Sequence, residues 1–190
     1  MAEKIYQIKI SLKGIQPLIW RRLYIHSGIL LSDFHKMIQT VMGWTNSYPH
    51  QFIKNKKYYV VPSDNFGDDV SNIDYRDYKV LNLLKKEGDT IIYEYDLGDG
   101  WVHEILLEKM SEVNPHSAYP ICDNGEMNCP PEGCGGVDGY KDLLEIITNS
   151  GHEEYVETIR WLGPGFDPTY FCYSDKNEML RRKDFGCMGC

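Results

Sequence analysis

The sequence has no apolar run approaching the roughly 20 residues that a helix needs to cross a bilayer, and we expect no membrane segment. Its first residues also lack the basic region and apolar stretch of a secretion signal, which predicts a cytoplasmic protein. In that reducing compartment we expect the six cysteines to be thiols or metal ligands more often than disulfides.

Positive charge is scarce, with 20 Lys and Arg residues against 28 Asp and Glu residues and a formal net charge of −8. Because Lys and Arg contacts to phosphate supply most non-specific affinity for nucleic acid, this balance disfavours a protein that coats DNA or RNA. Two short basic clusters, residues 54–57 and 181–183, are the local exceptions, and each is interpreted as a solvated loop or helix end. The sequence identifies no partner.

Specific catalytic motifs are missing as well. We find no nucleophile elbow, no phosphate-binding glycine loop and no metalloprotease helix motif, and there is no internal repeat or low-complexity segment. No reaction is therefore assigned from the sequence.

The length and composition that are present predict one globular domain. A chain of 190 residues with 42% hydrophobic residues can bury a full core, so we expect a single domain over residues 1–190. We divide it into a sheet-rich part (1–110), a cysteine loop (111–137), a helical part (138–182) and a tail (183–190). Because strands come first and helices later, without βαβ alternation, the fold class is α+β with an antiparallel, roll-like sheet.

Local patterns predict the elements of that fold. Alternation from residue 5 to 12 and a β-rich run from 18 to 25 predict a hairpin, and helical spacing from Ser32 to Gly43 predicts an amphipathic helix. Residues 63–77 are interpreted as a loop. Further helices are expected after three capping signals, which are Asp138, the Ser150–Glu153 capping box and Ser174.

The strongest hairpin signal joins runs 90–97 and 101–109 through Gly98-Asp99-Gly100. Polar and aromatic residues near this turn, with partners from neighbouring strands, form a candidate binding pocket, because a histidine near neutral pH suits base catalysis or metal binding. The alternative is that turn chemistry and core packing explain them all. The candidate residues are Arg21, His50, Asp96, Asp99, Trp101 and His103.

A stretch rich in Cys, Pro and Gly, residues 122–136, is expected to be a rigid loop without helix or strand. Cys129 and Cys134 are spaced closely enough to place two thiolates on one zinc ion, and Cys122 is a third candidate ligand. The fourth ligand stays open among His103, His116 and Cys172. The alternatives to zinc are simple packing of buried thiols and a reversible disulfide.

The tail carries a second cysteine pair, Cys187 and Cys190. A redox CxxC motif needs a following helix to lower the thiol pKa, and here no residues follow in the sequence. This pair is interpreted as an accessory ligand pair or an inert, frayed tail.

Five motifs occur in order along the chain: PLIWRR (17–22), MGW (42–44), YEYDLGDGWVH (93–103), CPPEGCGG (129–136) and WLGPGFDP (161–168). Together, between about residue 4 and residue 182, they resemble the pRiA4b plasmid open-reading-frame-three-like family. That resemblance implies an α+β roll-like domain of uncharacterised activity, often labelled an insertion-element passenger or resolvase-like protein. Two hypotheses follow, a binding or interaction module supported by the cysteine loop, and a metal-assisted hydrolase or nucleic-acid processing enzyme.

Overall fold

The computed structural model of the chain describes residues 3–62 and 72–188. The strands are β1 Lys4–Leu12, β2 Trp20–His26, β3 His50–Lys54, β4 Lys57–Val60, β5 Asn72–Asp74, β6 Thr90–Tyr95, β7 Trp101–Glu112 and β8 Ile121–Glu126. The helices are α1 Leu31–Met42, α2 Val80–Leu83, α3 Gly136–Thr148, α4 Tyr155–Leu162 and α5 Tyr173–Leu180, followed by a 3₁₀ turn, Lys183–Gly186.

The strands form one sheet in the order β5-β4-β3-β6-β7-β1-β2-β8, with every neighbouring pair antiparallel except β4 and β5. The predicted α+β class with an antiparallel sheet is confirmed. Within the described ranges, no helix combines the length and the apolar character needed to cross a membrane.

Strand β1 lies in the middle of this sheet, between β2 and β7. Its alternating pattern is confirmed, since Ile8, Ile10 and Leu12 are fully buried while the residues between them are partly exposed. Side chains of a strand point alternately to opposite faces, so one face of β1 supplies the core.

Helix α1 packs its apolar side into the same core, with Phe34 and Ile38 fully buried. Its predicted end at Gly43 is confirmed by a left-handed φ of 101°, which glycine adopts without a Cβ clash. The predicted cap at Ser32 is wrong, because the N-cap residue is Leu30 and no side chain caps the helix there.

The β6–β7 connection differs from the predicted turn. Strand β6 ends at Tyr95, one residue before Asp96, which adopts a left-handed φ of 53°. The Gly100 N–H donates to the Asp96 carbonyl, and Asp99 is not left-handed. The connection is therefore a five-residue loop closed by Asp96 and Gly100 rather than the predicted turn through Gly98-Asp99-Gly100 alone.

The cysteine stretch was expected to contain no strand, and this is wrong for its first part. Residues 121–126 form β8, an edge strand paired with β2, so Cys122 is a strand residue. The residues that follow Cys122 are polar and do not alternate with apolar residues, so the sequence did not predict a strand here. The strand forms through pairing with β2. Only residues 127–135 remain as the loop between β8 and α3.

The helices of the second half exist as predicted, but their N-terminal caps differ. Helix α3 begins after Gly135 with Asp138 already in its first turn, α4 begins after Glu154, and α5 begins after Cys172. None of the three has a side-chain cap hydrogen bond at its N-cap position.

Two loop predictions fall partly outside the described residues. Residues 63–71 of the predicted loop 63–77 lie outside them, while residues 72–74 form β5, which corrects that part. The Cys187–Cys190 pair is not described as a pair, because Cys190 lies outside the described residues. The tail is not frayed before Gly186, since the Thr40 hydroxyl donates to the Phe185 carbonyl at 2.9 Å.

Candidate binding cleft

Three of the five motif segments meet at one cleft of about 390 Å³. The end of α1, the cysteine loop and the end of α4 each form one wall. We call this feature the aromatic cleft, and it is lined by Met42, Gly43, Trp44, Thr45, Asn128, Cys129, Pro130, Pro131, Glu132, Trp161, Leu162 and Phe166.

Trp44 is the buried wall of the aromatic cleft. Its indole N–H donates to the Pro130 carbonyl at 2.9 Å, and its ring stacks on Tyr95 with centroids 4.9 Å apart. A buried tryptophan usually satisfies its N–H in this way, while its ring supplies apolar contact. The hydrogen bond fixes the cysteine loop against α1.

Glu132 ties the same loop to two further elements. Its carboxylate accepts hydrogen bonds from the Thr45 N–H at 3.1 Å, from the Thr45 hydroxyl and from the Tyr95 hydroxyl. Hydrogen bonds to an ionised acceptor are stronger than neutral ones. Because three donors engage it, the Glu132 carboxylate holds the wall of the cleft in place.

Arg21, a predicted binding residue, lies behind the cleft and is 1% exposed. Its guanidinium donates to the carbonyls of Val41, Trp20 and Glu126 at 2.8–2.9 Å, and it lies over the Phe171 ring at 4.1 Å. Val41 is in the last turn of α1, where carbonyls lack helical partners. Arg21 therefore joins α1, β2 and β8.

The thiols of Cys122 and Cys129 lie close enough to Arg21 for its charge to affect them. Burial raises the pKa of Cys122 to about 11 and that of Cys129 to about 12, and Arg21 and Lys176 oppose both shifts only in part. Metal binding requires thiolates, and the positive charges of Arg21 and Lys176 lie beside both sulfurs, so the packing interpretation fits this geometry.

No three His, Cys, Asp or Glu side chains are arranged to hold a metal ion within residues 3–62 and 72–188. Cys134, the other half of the predicted ligand pair, has its pKa raised to about 11, first by burial and then by Asp99. His116 is exposed, and Cys172 is at the start of α5. Zinc binding stays a prediction.

The loop between β6 and β7 contacts the start of α3. The Gly135 N–H donates to the Asp99 carboxylate at 3.3 Å, and a Cβ on Gly136 would collide with the Asp99 carbonyl. Since a carboxylate near a helix N-terminus is stabilised by the helix dipole, Asp99 supplies from a distance the cap that α3 lacks locally. Asp96 accepts from the N–H groups of Gly98 and Asp99, and so shapes the loop itself.

Trp101 and His103 lie fully buried beneath the cleft, with the His103 ring edge-on to Trp44 at 5.2 Å. Burial lowers the pKa of His103 to about 4, and its Nδ1 lies 3.2 Å from the Tyr93 carbonyl. Nδ1 therefore carries the proton of the neutral ring. Neither Trp101 Nε1 nor His103 Nε2 has a hydrogen-bond partner among the described residues.

His50 does not join this group. Its ring stacks on His35 with centroids 3.4 Å apart, and its Nε2 lies 2.6 Å from the Tyr75 hydroxyl. Burial and the neighbouring His35 lower the pKa of His50 well below its usual range.

The predicted pocket residues therefore do not form one pocket, because the structure places them in three separate locations. Trp101 and His103 support the cleft from below, Arg21 and Asp99 fix its surrounding elements, and His50 lies in a different polar cluster. Sequence reasoning missed Trp44, Glu132, Trp161 and Phe166 as cleft residues, although all four lie in the quoted motifs. The available signal was that each of the three motif segments lining the cleft contains Trp or Pro.

Known proteins are similar to this chain over most of its length. A family model described as "Plasmid pRiA4b ORF-3-like protein" matches residues 4–175. The uncharacterised protein y4hQ of Sinorhizobium fredii (strain NBRC 101917 / NGR234) is 32% identical over 182 residues, which cover 95% of this chain and 92% of that protein. The crystal structure of MM3350, a protein of unknown function from Methanosarcina mazei Go1, matches with a TM-score of 0.82 at 35% identity, covering 92% of this chain and 98% of that one.

Proposed function

This chain belongs to the plasmid pRiA4b ORF-3-like protein family, as its motifs indicated, and from that premise and the geometry of the cleft we propose that it is a binding module for a partner protein. The descriptions of y4hQ and MM3350 name no activity or ligand, so the proposal depends on this chain's own surface.

The observation that carries the proposal is the set of exposed apolar residues on α4. The helix is amphipathic, yet none of its residues is buried, and Val156, Ile159 and Trp161 are 65%, 40% and 52% exposed. Single exposed apolar residues are common, but a group of them on one element is typical of an interaction site. Trp161 also lines the aromatic cleft, so this exposed residue belongs both to α4 and to the cleft.

The cysteine loop supports this surface as a rigid wall. Trp44 and Glu132 hold the loop at two points, and Pro130 and Pro131 restrict its backbone. A preorganised site loses less conformational entropy when a partner binds. This is the role that the sequence predicted for the loop, with or without zinc.

The enzyme hypothesis has less support from the geometry. His103 is 0% exposed and Asp96 is 6% exposed, and the Asp96 carboxylate is engaged by its own loop. A general base must come within hydrogen-bond reach of a substrate proton. Neither side chain faces the open part of the cleft, and catalysis stays an untested hypothesis.

Site-specific photocrosslinking tests the binding module. A benzoylphenylalanine placed at Val156 in cells of the source organism should give a discrete adduct with a partner protein or with a second copy of the chain. The adduct should be lost when Trp161→Ala is added, because Trp161 connects the helix to the cleft.

The matched control carries the crosslinker at Lys109, an exposed residue of β7. Equal adducts from positions 156 and 109, or an adduct that survives Trp161→Ala, would show that this surface is not a specific interaction site.

A further inference from the structure

Four lysines line a second cavity, of about 680 Å³, at the opposite edge of the sheet from β8. Lys54 and Lys57 come from the β3–β4 hairpin, and Lys85 and Lys86 follow α2. We call this cavity the lysine groove. A concentration of positive charge in one cavity is unexpected in a chain with a formal net charge of −8.

Two of these lysines are cross-strand neighbours in one hairpin. Lys54 and Lys57 are register partners on β3 and β4, where they are joined by a two-residue turn. Like charges directly opposite each other on neighbouring strands destabilise the pair. The Lys54 ammonium donates to the Thr90 carbonyl at 2.8 Å, a neutral acceptor that does not cancel its charge. An anion beside this hairpin would offset the charge of both lysines.

Carboxylates neutralise the groove only in part: the Lys85 backbone N–H and, less strongly, the charges of Lys54 and Lys86 lower the pKa of Asp89. Asp89 is the one carboxylate among its lining residues, and it accepts the backbone N–H groups of Lys85 and Lys86 at 2.8 and 3.3 Å. None of Lys54, Lys57, Lys85 and Lys86 forms an ion pair with a carboxylate in the described part of the chain. Four ammonium groups and one carboxylate therefore leave the groove with a net positive charge.

We propose that the lysine groove binds a small phosphorylated molecule. Ammonium groups bind phosphate through charge-assisted hydrogen bonds, and Tyr59 and Asn82 offer an aromatic face and an amide to the rest of the ligand. The cavity volume lies in the range of about 300–1,000 Å³ that is usual for small-molecule sites. A long polyanion fits less well, because its charge would extend from the groove onto an acidic protein surface.

Isothermal titration calorimetry with the full chain tests this site. The probes are pyrophosphate, adenosine diphosphate and uncharged adenosine, each at low and at high salt. We expect both phosphate probes to bind at low salt, adenosine not to bind, and affinity to fall as salt rises. The double variant Lys57→Gln/Lys85→Gln should weaken phosphate binding at least tenfold.

The control variant Lys109→Gln/Lys141→Gln removes the same charge outside the groove and should bind as the unmodified chain does. The site is overturned if neither phosphate probe binds, or if the control loses affinity equally. A single-stranded oligonucleotide that binds more tightly than adenosine diphosphate would assign the groove to nucleic acid instead.

Discussion

At the scale of single residues, the most informative group is a closed hydrogen-bonded ring around His35. The Gln39 amide donates to the Tyr93 hydroxyl, and that hydroxyl donates to His35 Nδ1, because the Asn46 side-chain oxygen can only accept and so places the ring proton on Nε2. His35 Nε2 then donates to the Asn46 side-chain oxygen, and the Asn46 N–H returns to the Gln39 side-chain oxygen. The ring requires neutral His35 protonated at Nε2, and a second proton at Nδ1 would break it.

This arrangement predicts that acid destabilises the protein. Burial lowers the pKa of His35 to about 4, so the unfolded chain binds a proton near pH 6.5 whereas the folded chain does not. Stability is therefore lost as pH falls through this window. For His35 alone the free energy of unfolding should fall by about 2 kcal/mol between pH 7 and pH 5. Urea denaturation at the two pH values measures it.

The stacked partner provides the control for this pH dependence. His50→Phe keeps an aromatic ring against His35 but removes one titrating group, so the loss between pH 7 and pH 5 should become smaller. His116→Gln, a substitution in an exposed loop, should leave the loss unchanged. If the pH dependence of stability is unchanged in His50→Phe, the loss of stability in acid does not come from the buried His35–His50 pair.

At the scale of elements, α3 shows that a helix can be capped from outside its own sequence. Its N-cap is Gly135 in a left-handed conformation, and its nearest acceptor is Asp99, which is 36 residues away in the chain. The β6–β7 loop reaches the helix because β6 and β7 position it there. The loop and the helix therefore stabilise each other.

We expect Asp99→Ala to lower the free energy of unfolding by about 1 kcal/mol, which is typical for the loss of an N-terminal cap. Asp138→Ala, at the locally predicted cap, should cost less, because its exposed side chain pairs only with Lys141. Urea denaturation and amide hydrogen exchange in α3 measure the two variants. An equal or larger cost at Asp138 would refute long-range capping.

At the scale of the whole molecule, the two proposed sites lie in different parts of the fold. The aromatic cleft is built where α1, the cysteine loop and α4 meet, and the lysine groove lies at the β3–β4 edge. Their linings share no residue, and their chemistry differs, one aromatic and one cationic. Substitutions in one should leave binding at the other unchanged.

The zinc hypothesis is also tested on the whole protein. We expect the freshly purified chain to contain less than stoichiometric zinc and to keep its melting temperature after chelation, since Cys122 and Cys129 are buried thiols beside Arg21. Elemental analysis and thermal melting with and without chelator measure this. One zinc per chain, whose removal lowers the melting temperature, would support the zinc hypothesis instead.

The sequence predicted those features that depend on near neighbours. Alternation in β1 and helical spacing in α1 are local, and Gly43 ends α1 through its own backbone freedom. Prediction failed where partners are distant in sequence. Cys122 belongs to a strand because β2 pairs with it, and Asn177 of α5 hydrogen-bonds both its N–H and its carbonyl at 2.7 Å.

The amino-acid sequence by itself therefore determined the α+β class, most of the elements and the family, because periodicity and short motifs are properties of neighbouring residues. The tertiary structure decided which motifs meet. It placed Trp44, Glu132 and Trp161 around one cleft and left His50 outside it. The physical reason is that strand order and helix packing determine distances between residues far apart in the chain, and no local pattern encodes those distances.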